Sequence, residues 1–244
     1  MMKVWGMTDI GLVRKENQDA YSFCEQGEHT VCVVCDGMGG PAGGQLASKI
    51  AVETFMSEIN GILTDGMSAE QLREASSYAV SKANQAIRES AAQQEAYQNM
   101  GTTLVAAVTY DDGVVVSNVG DSRAYHISEE GITRVTRDHS LVESMVERGD
   151  ITAEEARRHP NRNLITRALG PDTDAQCDGY VCSMAAGEFL LLCTDGLVDT
   201  VTDQEMLFEV IHGGEVENCL ERLINIAKKQ GAPDNVTAVL MQKL

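Results

Sequence analysis

The chain has 244 residues, 43% hydrophobic and 23% charged, an ordinary globular composition with length enough for one large domain and a sizeable core. A formal net charge of -18 argues against a nucleic-acid or anionic-membrane partner, because a negative surface repels both. No window approaches the roughly 18 apolar residues of a membrane span, and the N-terminus lacks the apolar core of a signal peptide, so the expected location is cytoplasmic.

Residues 3–10 read as a strand that leads through the polar stretch Gly11-Leu12-Val13-Arg14-Lys15-Glu16-Asn17-Gln18-Asp19 into a second strand near residues 20–24. Val31-Cys32-Val33-Val34-Cys35 then ends abruptly in Asp36-Gly37-Met38-Gly39-Gly40. This is the pattern of a buried strand delivering one carboxylate to a sharp turn, where glycine lets an ion or ligand approach bare backbone. A helix is expected over 45–59, with Leu46, Ile50, Val52, Phe55, Met56 and Ile59 near helical spacing. A second is expected over 68–94, with Ser68 and Gln71 as a capping box and Leu72, Ala75, Ala79, Ala83 and Ile87 facing inward.

Short β-branched runs at 102–110, 114–119, 123–127 and 132–135, separated by turn residues such as Gly120-Asp121-Ser122, predict an antiparallel meander of hairpins. Residues 136–171 are charged, with two short helical patterns (141–148 and 152–158) and few apolar anchors, and read as an excursion over the sheet. Strands resume at 180–183 and 188–193, helices at 203–211 and 216–230, and a last strand at 235–241. The order is α+β, with sheets at the core and helices covering them.

The seven cysteines are odd in number and often sit in apolar runs, which suits reduced thiols packed as small core residues. Cys32 and Cys35 form a C-x-x-C, but residues three apart on a strand face opposite sides and do not easily share a metal. Cys35 also lacks the following glycine-rich loop ending in arginine that a thiol nucleophile needs. The glycines of 39–44 have neither the Gly-Lys-Ser/Thr ending of a P-loop nor G-x-G-x-x-G spacing, and are read as packing and turn residues.

Five aspartates fall at strand-to-loop junctions: Asp19, Asp36, Asp121, Asp195 and Asp234. Singly each is an ordinary turn or cap residue. Together, if their strands are neighbours, they crowd carboxylates without a matching cluster of lysines. A divalent cation is the natural counter-charge, and all-oxygen donors favour Mg²⁺ or Mn²⁺ over Zn²⁺.

Arg14-x-x-Asn17-Gln18-Asp19, Asp36-Gly37-Met38-Gly39-Gly40, Gly101-Thr102-Thr103, Asn118-Val119-Gly120-Asp121-Ser122-Arg123, Thr194-Asp195-Gly196 and Asp234-Asn235-Val236-Thr237 come in one order across almost the whole chain. In that order they resemble the successive motifs of the metal-dependent protein serine/threonine phosphatases of the protein phosphatase 2C type, in a form similar to the bacterial single-domain members. The resemblance implies a four-layer α-β-β-α sandwich of two antiparallel sheets flanked by helices. It also implies a single catalytic domain over 1–244, with 137–170 as a flap that governs which phosphoproteins fit. By the same resemblance Asp36 bridges two metal ions and the Gly37 carbonyl is a further ligand. Asp19, Asp195 and Asp234 supply the remaining ligands, Asp121 with Asp195 holds a third, weaker ion, and Arg14 grips the substrate phosphate. Asp36 and Arg14 are the expected catalytic residues, and Mn²⁺ or Mg²⁺ the expected cofactors.

Two positions depart from the pattern. Met38 replaces a histidine that in many eukaryotic relatives protonates the leaving group, which methionine cannot do; a metal-bound water or a group from the excursion, with His139 and His159 nearby in sequence, is left for that role. Gln18 replaces an acid often found there. The expected partners are phosphorylated proteins, among them a bacterial serine/threonine kinase and its targets, with no nucleic acid or membrane and a monomeric state. A non-catalytic binding module of the same fold and a phosphatase for small phosphoesters remain as alternatives.

Overall fold

Alternating and helical hydrophobic periods resolve into eleven strands, seven α-helices and two short 3-10 helices in a computed structural model that describes residues 1–40 and 43–244. Pro41 and Ala42, which fall in the stretch read above as packing and turn glycines, lie outside the described residues. Strands β1 (Met2–Asp9), β2 (Asp19–Gln26) and β3 (His29–Met38) precede helices α1 (Gly43–Ile62) and α2 (Ala69–Ala91). Then come β4 (Gly101–Thr102), β5 (Leu104–Tyr110), β6 (Gly113–Val119), β7 (Arg123–Ser128) and β8 (Gly131–Arg134). The chain finishes with α3 (Leu141–Glu147), α4 (Ala153–Arg158), β9 (Asp178–Ser183), β10 (Phe189–Cys193), α5 (Asp195–Val198), α6 (Asp203–Ile211), α7 (Cys219–Lys229) and β11 (Val236–Lys243).

The strands form two antiparallel sheets, ordered β1-β11-β10-β7-β8 and β2-β3-β5-β6-β9, with β4 paired to the end of β3. On β3 the two-residue period sends Cys32 and Val34 into the core between the sheets and Val31, Val33 and Cys35 toward α1 and α2. Cys32 and Cys35 therefore face opposite ways, and burial raises both thiols. On the other face α7 turns Cys219, Leu220, Leu223, Ile224 and Ala227 inward onto the second sheet. Burying a side chain such as Leu223 stabilises by about 1.5–3 kcal/mol. The Ser68 and Gln71 capping box opens α2 as expected.

Three local readings change. The stretch 102–135 is not a continuous meander: β5–β6 and β7–β8 are hairpins, but β6 and β7 lie in different sheets, so Gly120-Asp121-Ser122 is a crossing between them. A short polar turn has the same sequence pattern whether the next strand pairs back or leaves. Strand β3 runs past Asp36, pairing Gly37 with Thr102 and Met38 with Gly101, and Asp195 opens the short helix α5 behind the N-cap Thr194. Residues 136–171 carry few buried apolar side chains, among them Val142, Ala168 and Leu169. The two ends of this excursion meet: the Leu141 amide donates to the Leu164 carbonyl at 2.9 Å, and the Thr166 amide to the His139 carbonyl at 2.7 Å.

Candidate active site

The β2–β3 register sets Asp19 directly opposite Asp36. The Asp36 backbone is fixed from the neighbouring strands: its amide donates to Thr103 Oγ1 at 2.9 Å, and its carbonyl accepts from the Thr103 amide at 2.9 Å and Thr102 Oγ1 at 2.7 Å. Thr103 Oγ1 also lies 2.7 Å from Ser122 Oγ, tying this strand to the sheet-crossing turn that carries Asp121. Gly37 is required here for close approach, since a Cβ would stand 2.1 Å from the Gly44 carbonyl oxygen and 2.5 Å from that of Gln18.

From the other sheet, Thr194 and Thr237 hydroxyls donate to Asp19 Oδ2 at 2.9 and 2.7 Å. Asp234 accepts from the Asn235 amide at 2.8 Å and from Arg14 Nη2 at 2.5 Å. Asn235 in turn accepts from the Gln18 amide at 2.9 Å and donates to the carbonyls of Ile10 and Glu16, each at 3.0 Å, so one amide side chain organises the whole loop bearing Arg14.

A cavity of about 530 Å³ opens between these elements, lined by Asp36, Gly37, Asp121, Asp195 and Asp234, with Arg14 and Met38 beside them. Asp19, paired with Asp36 across β2 and β3, is not among its lining residues. The excursion contributes Asn163 and Ile165, whereas His139 and His159 are not among the lining residues. His139 is 6% exposed and hydrogen-bonded inward, and His159 accepts the Asn161 amide in its own loop.

The carboxylates raise one another. Asp36 lies well above the ordinary carboxylate range, first through burial and then through the charges of Asp19, Asp195, Asp121 and Asp234. Burial pushes Asp19 up to about 7 against its two threonine hydroxyls, with Asp195 and Asp234 adding repulsion. Asp195 rises to about 6 by burial and by the charges of Asp199 and Asp234, and burial followed by Asp195 and Asp138 lifts Asp121. Asp19 Oδ1 and Asp195 Oδ1 are buried without a hydrogen-bond partner. Crowded oxygen donors with orphaned lone pairs fit hard divalent cations. Among the described residues, no three His, Cys, Asp or Glu side chains already close on a single point. Asp234 Oδ2 accepts from Arg14, and Asp19 Oδ2 from two hydroxyls.

All the singled-out acids thus converge on one end of the sandwich, and Arg14 reaches the same rim. Thr103, Thr194, Thr237 and Asn235 had no assigned role. Thr194, Thr237 and Asn235 each lie inside a motif that carries one of the acids, and that was the available signal; Thr103 lies in Gly101-Thr102-Thr103, which carries none.

The family model described as Protein phosphatase 2C matches residues 13–241. The chain is 33% identical over 237 residues to the serine/threonine phosphatase stp of Listeria innocua, covering 97% of this chain and 94% of that protein. It is 32% identical over 241 residues to the protein phosphatase PhpP of Streptococcus pneumoniae, with 98% and 97% covered. Among solved structures, the serine/threonine phosphatase Stp1 from Staphylococcus aureus superposes with a TM-score of 0.94 at 33% identity, over 100% of this chain and 96% of that one. The catalytic domain of the serine threonine protein phosphatase PstP in complex with 2 manganese ions matches with a TM-score of 0.83 at 31% identity, over 99% and 97%.

Proposed function

The chain belongs to the protein phosphatase 2C family and is a metal-dependent protein serine/threonine phosphatase, and from that premise we propose how its own residues divide the work. Asp36 and the Gly37 carbonyl, with Asp19, Asp195 and Asp234, would hold two Mn²⁺ or Mg²⁺ ions, and Asp121 with Asp195 would hold a third, weaker one. When bound, the ions supply positive charge for the phosphate and lower the pKa of a water so that it attacks phosphorus at neutral pH.

Arg14 presents a planar fork that grips two phosphate oxygens, orienting the phosphoserine or phosphothreonine for in-line displacement. Its pairing with Asp234 keeps that fork at the rim. Thr194 and Thr237 hold one Asp19 oxygen and leave the other unpartnered, so that a bound cation would find a free oxygen donor there. Thr102 and Thr103 fix the backbone of Asp36, so the central carboxylate pays little reorganisation on loading. Met38 cannot protonate the departing alkoxide, and among the described residues no histidine lines the cavity, so a water molecule is the donor this reading assigns. Residues 137–170 act as the flap, and the enzyme is a cytoplasmic monomer that opposes a serine/threonine kinase in signalling, without nucleic-acid or membrane partners. Among the described residues, no helix is long and apolar enough to cross a membrane.

The observation that carries this reading is the convergence of Asp36, Asp121, Asp195 and Asp234 on one cavity with Arg14 at its mouth. Phosphate release from a phosphothreonine peptide is expected to require Mn²⁺ or Mg²⁺, to stop with excess chelator, and to be lost in Asp36→Asn and Asp195→Asn. Undiminished release by either variant overturns the assignment. Turnover of small phosphoesters well above that of any phosphopeptide overturns the protein-substrate class.

A further inference from the structure

We propose that His139 is a positioning residue for the Asp121 carboxylate, holding the sheet-crossing turn in the shape that lets Asp121 serve the weaker metal site. The proposal rests on the assignment of Asp121 made above.

Asp121 follows Gly120, which is buried and has a φ of +103°. A Cβ at Gly120 would come 2.6 Å from Thr103 Cγ2, so the turn is both tight and left-handed there. Both polar backbone groups of Gly120 are taken by a single residue. Its amide donates to His139 Nδ1 at 3.0 Å, and its carbonyl accepts the His139 amide at 2.9 Å, with Asn118 Nδ2 also donating at 3.2 Å. The peptide planes that aim the next side chain, Asp121, are thereby fixed from one side.

The same contacts fix the histidine. A backbone amide can only donate, so Nδ1 is bare and the ring proton is on Nε2, where it is donated to Asp178 Oδ2 at 3.1 Å. Arg167 Nη1 holds the other Asp178 oxygen at 2.9 Å. The order is therefore Arg167, Asp178, His139, Gly120 and then Asp121, the same logic by which outer residues orient inner ones around metal ions. Because the His139 carbonyl also accepts the Thr166 amide, the base of the excursion is fastened to the residue that sets Asp121. Truncating His139 leaves a buried Gly120 amide without its acceptor, and the turn is then free to rotate Asp121 away from its position.

The test is a calorimetric and thermal-shift titration of Mn²⁺ into the metal-free protein, with Asp121→Asn marking which binding phase belongs to Asp121. His139→Ala is expected to weaken that phase by about 10-fold while leaving the tighter phases in place, and His139→Asn to recover it to within about threefold, because its Oδ1 can stand where Nδ1 stood. His139→Gln, which carries its polar end near Nε2 instead, is expected to resemble the alanine variant and serves if that variant does not fold. Asp178→Asn should fall between. An Asp121-dependent phase that His139→Gln or His139→Ala leaves unmoved overturns the proposal. So does a uniform weakening of every phase, alike in the asparagine and alanine variants, which marks general loosening. A wild-type titration with no Asp121-dependent phase overturns the site assignment and the proposal with it, and is recognisable as that separate failure.

Discussion

Asp138, which is buried, and Asp36, which is half-buried in the cavity wall, lie at the same end of the sandwich, yet their surroundings are opposite. Asp138 is clasped by Arg123 through contacts of 2.6 to 3.0 Å, with Arg134 3.7 Å away, so its charge is answered inside the fold. Around Asp36 the strongest electrostatic neighbours are other aspartates. One carboxylate is a structural lock between β7 and the strand-to-excursion connection. The other belongs to a group that the protein leaves uncompensated, and that deficit is what a metal enzyme requires of its site.

The largest expected effect comes from neutralising the uncompensated member. Asp36→Asn should lower phosphopeptide turnover on the order of 10³-fold, about 4 kcal/mol. The same change should raise the melting temperature of the metal-free protein, because it removes repulsion, and abolish the further rise on adding Mn²⁺. A metal-free variant less stable than wild type would erase the contrast with Asp138. Next comes the lock: Arg123→Met strands a buried carboxylate and is expected to cost about 3 kcal/mol in denaturant unfolding. A loss under about 1 kcal/mol would place Asp138 among ordinary surface pairs.

Arg14 lies between the two cases, pairing with Asp234 while half-exposed at the rim. Arg14→Ala is expected to lower kcat/KM for phosphopeptides by roughly 10- to 100-fold, as for loss of a charged hydrogen bond. Arg14→Lys should recover only part, since an ammonium lacks the fork.

The contrast also appears in pH. In the metal-free protein the folded Asp19 and Asp195 hold protons up to about 7 and about 6, whereas the unfolded chain releases them near 3.8. Their share of stability is therefore present below 3.8 and is lost as pH rises toward 7, and saturating Mn²⁺ should flatten that fall. Asp9 shows the reverse sign. Burial tends to raise it, but the Lys228 ammonium and the Gly11 amide hold it below 3.8, so its contribution is present above that value and lost as pH falls through it. Asp9→Asn should be the smallest effect, under about 1 kcal/mol at neutral pH, with most of the difference from wild type gone in acid.

Much of this was legible before any coordinates. The short apolar run at 31–35 and the helical period of 72–87 announced their elements, and the capping box at Ser68 and Gln71 placed the start of α2. The acids that meet at the cavity were visible as strand-end aspartates. The fate of Gly120-Asp121-Ser122 was not legible, because leaving for another sheet depends on Arg123 reaching Asp138 and on Ser122 reaching Thr103, contacts that no local pattern announces. Asn235 passed as a neighbour of Asp234 until its amide was found bridging to Gln18, Ile10 and Glu16, some 220 residues away in the chain.

What the sequence by itself determined is the repertoire: which segments are strands or helices, which faces are apolar, and which charged groups stand at strand ends. These depend on periods of two and 3.6 residues and on the chemistry of single side chains. The tertiary structure alone decided partnership, putting Asp19 under two threonine hydroxyls, Arg14 on Asp234 and His139 against Gly120. Such pairings depend on strand order and register across the whole chain, and identical local patterns are compatible with many of them.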